Sequence, residues 1–571
     1  MAARAPRVAG WLLAIAAWVG ATRVSAAEDD GRYDFIVVGA GSAGCALASR
    51  LAETPGWNIL LVEAGGEEPE WSRVPAYWRF AARAAGGVDW NYTTVPAPEA
   101  CAGSGCVYPR GRCLGGSSST NAMYYLRGGR RDYDQLAAMG NDGWGYEDVL
   151  PYFVRSERNG DPRLASTRYH GSAGPLSVQK FRYEDENAIS LLQALEELGF
   201  ARTDLNGERI VGSMAAQMTN RDGERQSANS AFLRTARKRS NLRVLTDSHV
   251  SRVLFRDGSE AHGIEYLRGG NAYRAFASKE VVISAGSIGS PQILQLSGIG
   301  PRDLLDQLGI EVIADLPVGS TLRDHPAVQP VVYRLRNTSK LPGIAELYDD
   351  FLEYVGSRQG PLTAAGTSEV VAFCPSETST AGDEDPDLEL VFESTYSDGN
   401  IANCYYDRIT ATPIVLQPRS RGYVRINTTD PLRPPLIQPN FLREEADVQV
   451  LLRGVNYLLE LLDTPTLRRL GFEADTSPVR GCEHLAWGTE GYWRCTFRVT
   501  TFTAFHPVAT CAMGPGSDPG AVVDPLLRVH GFANLRVVDA SVLPLLIRGH
   551  TNAAAIMIGE KGADIIKNRW S

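Results

Sequence analysis

The sequence predicts an α/β protein, and three observations carry the prediction. First, a short apolar run, Asp34–Val38, leads directly into the turn Gly39-Ala-Gly41-Ser-Ala-Gly44, a helical stretch from Cys45 to Glu53 and a second apolar run, Asn58–Val62. Buried strand, helix and buried strand in that order form the unit of a parallel sheet. Second, further strand-like runs stand at Asn241–Leu245, Val250–Phe255 and Glu280–Gly286. Third, 571 residues that are 44% hydrophobic and 22% charged supply ample core; at about 150 residues per domain there is room for three or four units, or two large ones. A net charge of −9 argues against nucleic acid as a partner, because phosphate-binding surfaces are normally basic. Nine cysteines are too few for a small disulfide scaffold.

The N-terminus reads as an address. Arg4 and Arg7 precede the uncharged stretch Val8–Thr22, and Val24-Ser25-Ala26 offers small residues at the spacing a signal peptidase reads. The apolar run is short for a membrane span, which needs about 20 residues. Residues 1–26 are therefore expected to be a cleaved signal peptide and the protein to be secreted, with no stable membrane span. Secretion makes cysteine pairs readable. Cys101 and Cys106 enclose a short Gly-containing loop, and Cys482 and Cys495 bracket an apparent loop rich in Gly and Trp. Each pair is a plausible local disulfide, though spacing alone does not fix connectivity. Cys45, Cys113, Cys374, Cys404 and Cys511 then read as buried thiols. Asn91, Asn337 and Asn427 head glycosylation sequons. No Cys/His spacing fits a zinc site, so no metal is expected.

The turn after the first strand is the most telling segment. Gly39 permits a tight turn, Gly41 allows the backbone to approach a pyrophosphate, and Gly44 lets helix and strand pack closely. The helix N-terminus offers unpaired N–H groups to phosphate. Glu63 ends the second strand, 19 residues beyond Gly44, where a carboxylate accepts hydrogen bonds from both ribose hydroxyls. This is a Rossmann-like grip for NAD or FAD. Gly115–Met123 is too rich in Gly and Ser for a helix interior and suits a loop lying along a ligand.

Five segments spread along the chain resemble one family. Pro109–Asn121 and Gly286–Gly300 are similar to its two signatures, Pro418–Gly422 to the opening of its C-terminal half, and His506–Gly514 and Val537–Pro544 to its ending. The family is the glucose–methanol–choline (GMC) oxidoreductases, which use FAD. Cys101/Cys106, Tyr492–Cys495 and Arg548–Asn552 make the look closest to the animal type, as in arthropod FAD-dependent glucose dehydrogenases. The resemblance runs from about residue 33 to 568. It implies a second, α+β substrate domain built on an antiparallel sheet. The expected division is FAD-binding segments 33–155, 225–325 and 505–568, and substrate segments 156–224 and 326–504.

The resemblance also assigns residues. Gly116 and Asn121, Ala122, Met123 and Tyr124 are placed along the isoalloxazine, Val250 beside the adenine, Asp539 near the ribityl or pyrophosphate, and Thr551 and Asn552 at the cofactor. Some relatives attach FAD through a His just before the Asn; here Thr120 occupies that position, so FAD is expected to be non-covalent. Asp324-His325-Pro326 matches a family motif, while Thr321 stands where an Asn is common.

Of eight histidines, two sit at the ends of elements. His506 follows the alternating stretch Thr500–Phe505 and precedes Pro507, which cannot donate to a ladder; His550 directly precedes a helical run that starts at Thr551. Imidazole suits proton transfer near neutral pH. The resemblance makes His506 and His550 the catalytic pair in front of the flavin N5, with His506 as base and His550 as positioning group, or the reverse. A rate rising near the unperturbed imidazole pKa of about 6.5 is expected. The implied function is oxidation of an alcohol or sugar CH–OH group by hydride transfer to FAD, with a quinone or oxygen as acceptor and a dehydrogenase favoured over an oxidase. A flavin-dependent lyase or photodecarboxylase on the same fold, or a non-catalytic flavoprotein, is the alternative. The sequence does not state the oligomeric state.

Overall fold

The computed structural model describes residues 27–82, 87–376, 385–397 and 401–571; the segment 1–26, expected to be a signal peptide, lies outside them. Two large sheets organise these residues. The first has seven strands in the order 242–245, 59–62, 28–38, 271–283, 260–268 and 249–256, with 535–537 added beside 271–283. Its core is parallel: Glu28–Val38 runs parallel to both Ile59–Val62 and Asn271–Ile283. Strands buried on both faces read as continuous apolar runs, which is why Phe35–Val38 and Ile59–Leu61 are all at most 3% exposed. The helix Ser42–Leu51 covers one face and packs against the last helix, Thr551–Trp570.

The second sheet has eight strands, ordered 472–474, 331–335, 408–415, 388–395, 370–374 and 212–215, with 326–327 bridging 408–415 to 502–503. Every pairing in it is antiparallel. The helix Glu445–Leu462 buries Val448, Leu451, Val455, Leu458 and Leu461 against this sheet, an i, i+3, i+4 stripe. A smaller apolar cluster includes Met123, Tyr124, Phe373, Val391 and Ile414, and all of these but Phe373 line the cavity described below.

Several local expectations need adjusting. The strand expected over Thr500–Phe505 is only Phe502–Thr503, because the helix Glu490–Thr500 runs up to it. Cys495 therefore lies in that helix, which Thr489 caps with its side-chain oxygen, and not in a loop. Cys101–Cys106 and Cys482–Cys495 are both disulfides. The other five cysteines are free and buried. Asn91, Asn337 and Asn427 are exposed. No helix of the described residues is long and apolar enough to cross a membrane.

Candidate active site

A cavity lies where the C-terminal ends of the parallel strands meet the antiparallel sheet. Val38, Val62 and Ser284 form one side; Val391, Thr412 and Ile414 form the other. In parallel α/β sheets this strand end is where ligands bind. Gly39, Gly41, Glu63, Gly116, Asn121, Ala122, Met123, Tyr124, Val250, Asp539, Thr551, Asn552, His506 and His550 all line it. Residues up to 513 positions apart in the sequence are thus brought to one wall. Gly44 stands behind: a Cβ there would meet the Gly39 carbonyl oxygen at 1.9 Å, so only glycine lets the helix close on the turn.

The cradle end fits a dinucleotide. Gly39 has φ +99°, and its N–H donates to Val62 O at 2.7 Å, turning the chain out of the strand. A Cβ on Gly41 would meet nothing within 4 Å, so the backbone there faces open space. No side chain caps the helix that starts at Ser42, leaving its first N–H groups for an anion. Glu63 is buried and accepts from Ala40 N–H and Gly65 N–H at 2.9 Å each, one on each oxygen. Each carboxylate oxygen keeps a further lone pair for a hydroxyl donor. Burial pushes the Glu63 carboxyl up from its usual range, against those backbone donors.

The loop after Gly115 is shaped by its own contacts. Gly116 (φ +53°) rests on Gly41, where a Cβ would come 2.8 Å from Gly41 Cα. Asn121 Oδ1 accepts from Met123 N–H at 3.0 Å and from Arg225 Nη1 at 2.8 Å, which holds Met123 at φ +68°. Asp539 accepts from Gly286 N–H at 2.9 Å and Ser541 N–H at 2.8 Å, and also from the Ser290 hydroxyl. It therefore shapes the wall through the Gly286 turn. Asn552 Oδ1 accepts from the Ser42 hydroxyl at 2.7 Å, tying the last helix to the first.

At the other end the imidazoles of His506 and His550 lie with ring centroids 4.4 Å apart. His506 is clamped from its backbone outward. Its N–H donates to Asp324 Oδ1 at 2.8 Å, and Arg110 Nη1 donates to Phe505 O at 2.8 Å. Phe505 itself sits at φ +67°. Tyr108 and Thr503 hydroxyls donate to Asp324 Oδ2. Burial nonetheless raises the Asp324 carboxyl to about 6. Its side-chain neighbour is His325, whose Nδ1 lies 3.0 Å from His506 Nδ1. His550 Nε2 lies 2.8 Å from Glu389 Oε1, on the antiparallel sheet. Glu389 is fully buried.

Desolvation, then the neighbouring His550 and His325, hold the His506 imidazole well below its ordinary pKa. This overturns the expectation of a His506 limb near 6.5: the ring is neutral well below that pH. Sequence reasoning named both catalytic candidates but missed Glu389 and the part played by His325. A lone acid inside the apolar run Leu388–Phe392 was the available signal for Glu389, because a buried carboxylate needs a partner. Thr120 is buried on the cavity wall with no histidine in its place.

Comparison with known proteins agrees with this geometry. Residues 33–327 and 418–559 match the N-terminal and C-terminal sequence profiles of the GMC oxidoreductases. The chain is 41% identical over 557 residues to glucose dehydrogenase [FAD, quinone] of Drosophila melanogaster, covering 95% of this chain and 88% of that one. It is 36% identical over 570 residues to human mitochondrial choline dehydrogenase, covering 96% and 93%. Pyridoxine 4-oxidase from Mesorbium loti shares the fold, with a TM-score of 0.80 at 29% identity over 94% of this chain and 99% of that one. Both profiles include segments that line the cavity, and the likeness extends over nearly the whole length, so the chain belongs to the GMC oxidoreductase family.

Proposed function

We propose that the protein is a secreted FAD-dependent dehydrogenase that oxidises a CH–OH group of an alcohol or sugar, with a quinone-like acceptor or oxygen taking the electrons. The observation that carries this reading is the continuity of the cavity from the Gly39–Glu63 cradle to the paired imidazoles of His506 and His550. The segments 33–155, 225–325 and 505–568 would hold FAD, and 156–224 and 326–504 would shape the substrate side.

FAD, when bound, supplies the hydride acceptor. The helix N-terminus beside Gly41 would receive the pyrophosphate and Glu63 would hold the ribose. Gly116, Asn121–Tyr124, Val250, Asp539, Thr551 and Asn552 line the remainder of the seat. Non-covalent attachment follows from Thr120, which has no imidazole to offer. His506 accepts the substrate hydroxyl proton, a role typically worth about 10²–10⁴-fold. His550 orients the substrate oxygen. With Glu389 as the acceptor, His550 Nε2 carries the hydrogen of their bond, and the acid faces the positive charge that the pair would gain with the proton. A lyase on this fold would have no need of such a pair. Two local disulfides and three exposed sequons support a secreted chain.

Anaerobic mixing with a panel of alcohols and sugars tests the activity. Bleaching of the flavin by one of them is expected, followed by reoxidation with a quinone. A flavin that no CH–OH compound reduces would remove the dehydrogenase reading.

A further inference from the structure

His325 is fully buried, and nothing so far explains why a second histidine should back the first. Its Nε2 lies 3.0 Å from the Leu416 carbonyl oxygen, and its Nδ1 lies 3.0 Å from His506 Nδ1. The two rings stand nearly perpendicular, at 83°. A carbonyl oxygen can only accept, so His325 Nε2 must carry the hydrogen of that bond. A neutral imidazole has one N–H. His325 Nδ1 is then a bare acceptor, and the bond to His506 needs its hydrogen on His506 Nδ1. That leaves His506 Nε2 without a hydrogen, on a ring that lines the cavity. No hydrogen-bond partner occupies this nitrogen among the described residues.

We propose that His325 is a positioning residue that fixes His506 as its Nδ1–H tautomer, so that His506 Nε2 is the bare nitrogen presented to the substrate hydroxyl. The inference rests on His506 being the base and adds which atom acts and what selects it.

The selection works only while His325 is neutral. A protonated His325 would donate from both nitrogens, and His506 Nδ1 would have to accept. The His506 hydrogen would then sit on Nε2, turning a base into a donor. Burial, together with the neighbouring His550, holds His325 down to about 3, while the Leu416 and Ile547 carbonyls pull the other way. The remaining charged groups around the pair are Asp324, Arg110 and Glu389. Asp324 is taken up by the backbone N–H groups of His325 and His506 and by two hydroxyls. Arg110 holds Phe505 O and opposes charge on His506, and Glu389 is bonded to His550. The carboxylate thus backs His550, and the uncharged ring backs His506. This asymmetry separates the two imidazoles into different tasks.

The test is long-range ¹⁵N correlation NMR of histidine-labelled holoenzyme, with His506 assigned by its loss in His506→Gln. A protonated-type Nδ1 and a pyridine-type Nε2 are expected in the wild type. In His325→Leu the tautomers should mix and the reductive rate should fall, by at least about 10-fold and at most the roughly 10⁴-fold known for a wholly wrong tautomer. The apparent substrate affinity should hardly change. His325→Gln, whose amide can donate to Leu416 O and accept from His506, should restore much of the rate. A wild-type His506 with hydrogen on Nε2 would overturn the proposal whatever the variants do. So would a His325→Leu enzyme with unchanged tautomer and rate, which would leave His325 as packing. A correct tautomer together with a fully active His506→Ala would instead sink the base assignment itself. Should His325→Leu fail to fold, the wild-type spectrum and His325→Gln still decide.

Discussion

At the scale of single residues, the cavity separates groups that move protons from groups that hold others still. His506→Ala should keep the flavin spectrum and lower the rate of reduction by about 10²–10⁴-fold, read by anaerobic stopped flow. Because the His506 pKa is depressed, the deprotonated base persists to lower pH, and its ascending limb should lie well under 6.5. Glu389→Gln removes a charge-assisted hydrogen bond of roughly 1.5–3 kcal/mol. It should slow reduction by about 10- to 100-fold without loss of FAD, and an unchanged rate would show that His550 needs no counter-charge. Glu63→Gln keeps the shape of the turn but halves its acceptors, so FAD should be lost on dialysis while the chain still folds; full flavin occupancy would exclude Glu63 as the ribose ligand. Stability carries a pH signature as well. His325 and His506 are both depressed in the folded state, so their stabilising effect is complete above about 6.5 and is lost as pH falls toward their folded values. Asp324, raised from 3.8 to about 6, works in the opposite sense between those two values. Melting temperatures should fall on acidification below 6.5, and less steeply in His325→Gln.

Among the elements, the helix Glu490–Thr500 sets the approach to His506 and is fixed at both faces. Cys495 ties it to Cys482, and the turn Cys101–Gly103, held by the Cys101–Cys106 bond, packs against it. Closing loops with separations of 13 and 5 residues corresponds to about 3 and about 2 kcal/mol in the chain-entropy picture. Cys482→Ser with Cys495→Ser should therefore lower the melting temperature more than the Cys101/Cys106 double variant. Peptide mapping without reductant should find both bonds in the purified protein. The parallel sheet was legible because strands such as Phe35–Val38 are short apolar runs bounded by glycine or an acid. The antiparallel sheet was not. Leu388–Thr395 is buried along most of its length yet carries Glu389 within it, so neither alternation nor continuity marks it as a strand. Thr500–Phe505 alternates as a strand should, but a helix capped eleven residues earlier claims its first residue. His325 and Glu389 were invisible as site residues for a related reason: their partners lie 181 and 161 positions away.

On the scale of the whole molecule, the two sheets meet along a cavity that strands of both line. The first sheet draws strands from residues 28–62, 242–283 and 535–537, and the second from 212–215 and 326–503. The three sequons are exposed, so, if the protein is secreted and glycosylated as proposed, enzymatic removal of N-glycans should lower its apparent mass and leave flavin reduction unchanged. Loss of activity on deglycosylation would place a glycan at the cavity. The strand Leu535–Val537 has a consequence for how the protein is made. It completes the sheet beside Ile283, and the helix that follows carries His550 and closes over Ser42–Leu51. A chain emerging from the ribosome therefore carries an unfinished sheet until residues 535–537 have been synthesised. Pairings this distant in sequence form slowly and leave apolar surface exposed while they wait. Because Asp539, His550, Thr551 and Asn552 line the cavity, the cofactor seat is complete only once they have been made, and FAD loading is expected to follow the synthesis of this segment.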